Sequence, residues 1–287
     1  MIVTADDFGL ALPVNEAIEI AYRDGVLTSA SLMVAEGAAG DAVDRARRLP
    51  GLAVGLHVTV VDGRTILPRA QLSRLVDRSG RLSDRLVLAG VRYFFSPMAR
   101  RQLRAEVRAQ FEAFRATGLP LDHVDAHRHM HLHPTVLGAI LAVAREFNVR
   151  AVRVPYEPLR AAGVASGGPL TRLWARLAAA SRAAGLVPWL ALVRWRLHRA
   201  GIRYNTDVRG LAATGRMTEQ TVLRLVATLG RGTTEFFFHP ATATPFAGTL
   251  PQPIANHVAE LDALVSARVR GALESSGARR VAFRDLD

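Results

Sequence analysis

The sequence predicts an α/β fold built on a mainly parallel sheet, and three observations predict it. Short apolar runs alternate with helical periods along the N-terminal half, the pattern of successive β-α units. A length of 287 residues suits an α/β barrel, and no internal repeat or linker composition marks a second domain. The 49% hydrophobic content supplies a core of that size. Residues 1–287 are therefore expected to form one domain.

The elements follow in order. Ile2-Val3-Thr4 reads as a short buried strand ending in Asp6-Asp7-Phe8-Gly9, and a helical period from Val14 to Arg23 stops at Gly25. Ser29 to Val34 is a second strand and Asp41 to Arg48 a helix. After the Pro50-Gly51 turn, Leu52 to His57 is a third strand. Residues 58–97 show turn signals at Asp62-Gly63 and Ser79-Gly80 without a clean period, and read as a long excursion of lid type. Arg100 to Thr117 is a helix with Leu103, Val107, Phe111 and Phe114 on one face. Leu121 to Asp125 is a strand, Pro134 to Phe147 a helix, and Ala151 to Val154 a strand. Strand Thr234 to Phe238, helix Ile254 to Ser266 and a last strand, Arg280 to Phe283, complete the pattern. Between about 159 and 201 the chain changes to an Arg- and Trp-rich amphipathic insertion containing Trp174, Trp189 and Trp195. It reads either as a packed helical hairpin broken at Pro188 or, through 170–200, as a peripheral membrane contact.

Composition excludes several chemistries. Cysteine is absent, so disulfides, thiolate metal ligation and Cys nucleophiles are ruled out together. The formal charge is +12, and all 37 residues of the Lys+Arg count are Arg, which reads as coding bias. No motif or basic-aromatic interleave points to nucleic acid, so none is expected as a partner. No apolar run reaches the ~18 to 20 residues of a membrane span, and Met1 to Thr4 runs directly into Ala5-Asp6-Asp7. A cytoplasmic location is expected, with peripheral contact at the inner membrane surface.

The strongest chemical signal is the segment from His123 to Pro134, where five of the nine histidines fall within eleven residues. Its polar members, Asp125, His127, His129 and His131 among them, occupy alternate positions, so an extended backbone projects them to one face. Asp6 and Asp7 form the second signal: adjacent carboxylates at a strand tip repel unless a cation or proton intervenes, and strand C-termini are where α/β active sites form. His57 closes the third strand after Gly55. Three strand ends thus offer Asp, His and His, a two-His, one-carboxylate set that leaves positions open for water and substrate. His239 ends a fourth apolar run, Glu235 to Phe238.

With these residues in view, the sequence resembles the YdjC-like carbohydrate deacetylases. The resemblance rests on Ala5-Asp6-Asp7-Phe8-Gly9, Gly55-Leu56-His57, the Asp-x-His-x-His-x-His series from Asp125 to His131, Phe238-His239-Pro240 and the helix from Asn256 to Leu261. Thr-Ala-Asp-Asp at the start, Arg153-Val154-Pro155-Tyr156-Glu157 and the His-Pro-Ala ending at Ala241 resemble its hopanoid-biosynthesis-associated branch, whereas Thr4 and Ala241 replace the Asn and Gly common in chito-oligosaccharide members. The resemblance implies an irregular, TIM-like (β/α) barrel of the glycoside hydrolase/deacetylase type. It also implies one divalent metal ion held by Asp7, His57 and His127, with Asp6 as general base. Zinc leads among the metals, ahead of magnesium, cobalt, nickel or manganese.

The expected reaction is hydrolysis of the acetamide of an N-acetylated sugar or glycolipid, with His239 as general acid. Asp125 would orient an imidazole, Arg153 would support the ligands or touch substrate, and His129 and His131 would be substrate contacts or a replacement ligand. A metal-dependent phosphoesterase on a similar barrel and a non-catalytic metal- or lipid-binding protein are the competing readings.

Overall fold

A computed structural model of the chain describes residues 1–165, 187–243 and 254–286. Six strands form one parallel sheet: β1 (Ile2–Phe8), β2 (Ser29–Leu32), β3 (Ala53–Val58), β4 (Val124–Ala126), β5 (Asp207–Arg209) and β6 (Thr234–Phe238). Their order is β4-β3-β2-β1-β6-β5, and the sheet curls as a half-barrel. Every strand residue is buried. That explains the unbroken apolar runs, because both faces of a parallel sheet are covered.

The helices are α1 (Leu12–Arg23), α2 (Ala39–Arg47), α3 (Leu86–Phe95), α4 (Pro97–Ala116), α5 (Pro134–Ala144), α6 (Leu159–Ala165), α7 (187–199), α8 (Glu219–Val226), α9 (Ile254–Val265) and α10 (Ala267–Ser275). In α4 the expected face is the buried one: Leu103, Val107, Phe111 and Phe114 all enter the core. The helix begins earlier than its apolar period because Pro97 fits the first turn and the Ser96 hydroxyl accepts from the Ala99 N–H at 3.3 Å.

Several elements differ from expectation. β1 continues through both aspartates to Phe8 instead of ending before them. The expected strand at Ala151–Val154 makes only single bridges, Val124 with Val152 and Ala151 with Arg203. Beyond them the Asn205 side chain accepts from Val154 N–H at 2.7 Å and donates to its carbonyl at 3.0 Å, so an amide replaces a strand neighbour just before Pro155, which has no N–H to continue a ladder. Arg280–Phe283 is not a strand either. Val281 makes one backbone bond to Met1, and the chain then turns into a 3-10 helix, Phe283–Asp285, closed by Asp285 accepting from Ala282 N–H at 2.8 Å.

In the 159–201 region, residues 166–186, including Trp174, lie outside the described residues. Within α7, Leu190, Val193 and Leu197 form a buried stripe, and Trp189 donates to the Leu132 carbonyl at 2.8 Å. Among the described residues no helix is long and apolar enough to cross a membrane.

Candidate active site

At the end of β1, Asp7 adopts φ +64°, and the pairing with β2 shifts register between Ala5 and Phe8. A left-handed backbone costs a non-glycine residue about 1–2 kcal/mol. Adjacent side chains of a regular strand point to opposite faces; the irregularity lets Asp6 and Asp7 line the same cleft.

Asp7, His57 and His127 each present a ligand atom within 4.8 Å of the others, all buried. His127 Nδ1 is 3.0 Å and His57 Nε2 3.4 Å from Asp7 Oδ1. His57 and Asp125 are register partners on β3 and β4, so Asp125 Oδ1 meets His57 Nδ1 at 2.8 Å and turns the opposite ring nitrogen toward Asp7. Asp125 thus holds the His57 ring from behind. Burial opposes charge on His57, yet Asp125 and the carboxylates around it outweigh burial and push its pKa up to about 10.

Arg153 lies behind this trio, fully buried. Its guanidinium donates to both oxygens of Asp6 at 2.7 and 2.8 Å and to Glu235 at 2.7 Å, and approaches Asp125 Oδ2 at 2.5 Å. Burial alone would raise the pKa of Asp6 and Asp125; Arg153 reverses this and holds both carboxyls below their ordinary range. The side chain therefore braces the carboxylates and has no exposed surface to offer a substrate. Glu235 was missed because an acidic residue inside an apolar strand carries no signal until its partner, distant in sequence, is known.

The alternation expected from Asp125 to His133 ends at Ala126. His127–Leu132 form a 3-10 helix with a left-handed kink at Arg128 (φ +56°) and His129 (φ +54°), so the histidines do not share one strand face. His127 stays at the Asp7 site and His129 lines the cleft. His131 is fully buried with neither ring nitrogen hydrogen-bonded. Burial, with Arg153 contributing, lowers His129 to about 3, and burial lowers His131 to about 4, so both are neutral imidazoles. His123 is a core residue, held by Asp122 at 2.9 Å and Ser31 at 3.1 Å and stacked on Phe283.

From the β6 side, His239 follows Phe238 into the cleft, whose volume is about 280 Å³. Two residues of α9 that the sequence did not single out fix it. Glu260 accepts from the His239 N–H at 2.6 Å, and His257 Nδ1 donates to the His239 carbonyl at 2.5 Å. His257 lines the cleft too, and its Nε2 has no partner. The His-x-x-Glu spacing, which places both on one helix face, was the available clue. Glu157 shapes the opposite wall, accepting from Gly210 and Ala212 N–H groups in the loop that brings Leu211 and Thr214 to the cleft.

The donor set fits a divalent cation. It is one carboxylate and two imidazoles, with one imidazole already anchored from behind. Asp6, Asp125 and Glu235 are buried around the single guanidinium of Arg153, and Asp7 lies buried against His57 and His127, so buried carboxylates outnumber the cationic groups beside them and a cation would offset the excess.

A buried Asp/His/His cluster at the C-terminal tips of a parallel sheet is a donor set that could hold a cation, on an α/β fold. The YdjC-like protein family profile matches residues 1–275, and the chain belongs to that family. Among curated relatives, a carbohydrate deacetylase of Brevibacillus brevis is 38% identical over 159 residues, 54% of this chain and 59% of the relative. Another of Vibrio vulnificus strain CMCP6 is 38% identical over 165 residues, 58% of this chain and 60% of the relative. The chain thus spans about three fifths of the length of these relatives. A crystal structure of a protein from Enterococcus faecalis V583, named for cellobiose-phosphate cleavage, shares the fold, with a TM-score of 0.73 and 24% identity over 98% of this chain and 96% of that one.

Proposed function

We propose that the chain is a metal-dependent carbohydrate N-deacetylase that hydrolyses the acetamide of an N-acetylglucosamine-type sugar and releases acetate. The observation that carries this reading is the convergence of Asp7, His57 and His127 at a cleft where Asp6 is held ionised beside them. The names of the relatives support the substrate class. Asp7, His57 and His127 would hold one divalent cation, zinc first, which when bound lowers the pKa of water and polarises the acetyl carbonyl.

The chain's own groups then divide the proton work. Asp6 accepts the proton of the attacking water. Arg153 fixes that carboxylate on both oxygens, which keeps it ionised and aimed. As the carbon–nitrogen bond breaks, His239 gives a proton to the departing amine; its backbone is clamped at both N–H and carbonyl, so the ring keeps its place at the cleft. Neutral His129, on the cleft wall, contacts the sugar.

Residues 1–287 act as one domain with 159–201 as an insertion. The substrate is an N-acetylglucosaminyl hopanoid lipid, a reading supported by the branch-like motifs at Thr4-Ala5-Asp6-Asp7, Arg153 to Glu157 and His239-Pro240-Ala241, and the protein works in the cytoplasm at the inner membrane surface.

The test incubates zinc-loaded protein with an N-acetylglucosaminyl lipid and with soluble chito-oligosaccharides, following loss of one acetyl mass. Asp7→Ala and His127→Ala should lose both metal and activity. Asp6→Asn should keep metal and lose about 100- to 10,000-fold in rate. A near-normal kcat in Asp6→Asn would remove the assigned base, and retained metal without acetate release from any conjugate would remove the deacetylase reading.

A further inference from the structure

Helix α3 is inverted. Its buried residues are Ala89 and Tyr93, with the Tyr93 hydroxyl donating to the Val60 carbonyl at 2.5 Å, and the Phe94 ring meets His133 edge to face. Apart from Arg92, its other large side chains are apolar and exposed: Val87 is 78% exposed, Phe95 72%, and Val91 and Phe94 50% each. At about 100° per residue, Phe94, Val87, Val91, Phe95 and Leu88 sweep one continuous arc of about 120°, opposite the docking stripe. A surface helix ordinarily turns polar residues to solvent, as α4 does with Arg101, Arg104, Arg108 and Glu112. A contiguous apolar face of this kind marks an interaction surface.

The charge around it says what the surface meets. Residues 64–104 carry ten arginines against two carboxylates, Asp77 and Asp84, a local net charge of +8. Arg85, Arg92 and Arg101, in and beside α3, are exposed. A second copy of the chain would bring the same positive rim against itself, on top of +12 per molecule. An anionic lipid surface complements both features, since apolar side chains enter the acyl boundary while arginines reach the headgroups.

We infer that the α3 face, Leu86 to Phe95, docks the protein on anionic bilayers. Leu86 also lines the catalytic cleft, so docking sets the cleft mouth at the rim of the membrane contact. The docking surface is independent of the chemistry proposed for the cleft. Taken with that chemistry, it means that the acetylated sugar is presented as the headgroup of a lipid.

The experiment is flotation of the full chain with vesicles of phosphatidylcholine alone and of phosphatidylcholine mixed with phosphatidylglycerol. The wild type should float with the anionic vesicles, far less with the neutral ones, and progressively less as salt approaches about 1 M, where the screening length falls to about 3 Å. The double substitution Val87→Glu with Phe95→Glu, at two exposed positions, should lower binding roughly tenfold or more and leave release of acetate from a soluble chito-oligosaccharide unchanged. Absence of flotation with anionic vesicles would overturn the inference, as would binding undiminished by the double substitution. A dimer by light scattering that the same substitution dissolves would assign the face to self-association instead. None of these outcomes touches the deacetylase reading, which the soluble-substrate assay decides separately.

Discussion

Single side chains in this protein take their chemistry from neighbours distant in sequence. Asp6 and Asp7 are adjacent, yet Asp6 is locked by Arg153 while Asp7 faces two imidazoles. That separation gives two like groups different surroundings: one is held ionised by a guanidinium, and the other faces the histidines with which the proposed reading makes it a ligand. His131 shows the opposite situation, a buried imidazole with no hydrogen bond. Its folded pKa of about 4 lies below the ordinary 6.5 of an unfolded histidine, so above pH 6.5 it is neutral in both states and adds no pH dependence. As pH falls from 6.5 toward 4 the unfolded chain gains a proton that the folded one refuses, and stability is lost across that window. The penalty at its full extent is on the order of 3 kcal/mol, at about 1.4 kcal/mol per pH unit. His131→Leu should therefore flatten the stability curve between pH 5 and pH 7 in urea unfolding; parallel curves for the two proteins would refute this account.

At the level of elements, strand register does most of the positioning. β3 and β4 pair His57 with Asp125, and β1 and β6 run side by side so that Glu235 and Asp6 share Arg153. Where a strand must carry two functional residues in succession, the chain breaks regularity: the left-handed Asp7 in β1 and the left-handed pair Arg128-His129 after β4 are such places. Gly55 serves the same register in another way. A Cβ there would lie 2.4 Å from the His123 ring, which is pinned by Asp122, Ser31 and Phe283 and cannot retreat. Gly55→Ala should cost about 1–3 kcal/mol, the range for overpacking a tight core, and should lower activity by displacing His57 two residues on. Unaltered chemical denaturation of that variant would show that the strand can yield.

For the whole molecule, the site gathers buried carboxylates beside an Asp/His/His set that could hold a cation. Three buried carboxylates surround one guanidinium and a fourth, Asp7, faces the histidines; a metal that binds only the folded chain would stabilise it by mass action. Zinc at about 100 times its dissociation constant should add about 2.7 kcal/mol, seen as a rise of several degrees in Tm that Asp7→Ala abolishes; an equal rise in that variant would place the metal elsewhere. The parallel α/β class, the core face of α4, the strand Thr234–Phe238 and an Asp/His/His set at three strand ends were legible in the sequence, because apolar periodicity and polar strand tips are local properties of the chain; that Asp7, and not Asp6, joins His57 and His127 came from the family resemblance. The last strand, the extended histidine series, and the partners Glu235, His257 and Glu260 were not. Arg153 was visible as a motif residue, but only folding showed that three carboxylates converge on it. Local pattern fixes which backbone forms and which residues stand at its ends. Which buried charges meet is decided by packing between segments more than a hundred residues apart, as in Asp6 with Arg153, where the cost of a lone buried charge selects the pairing.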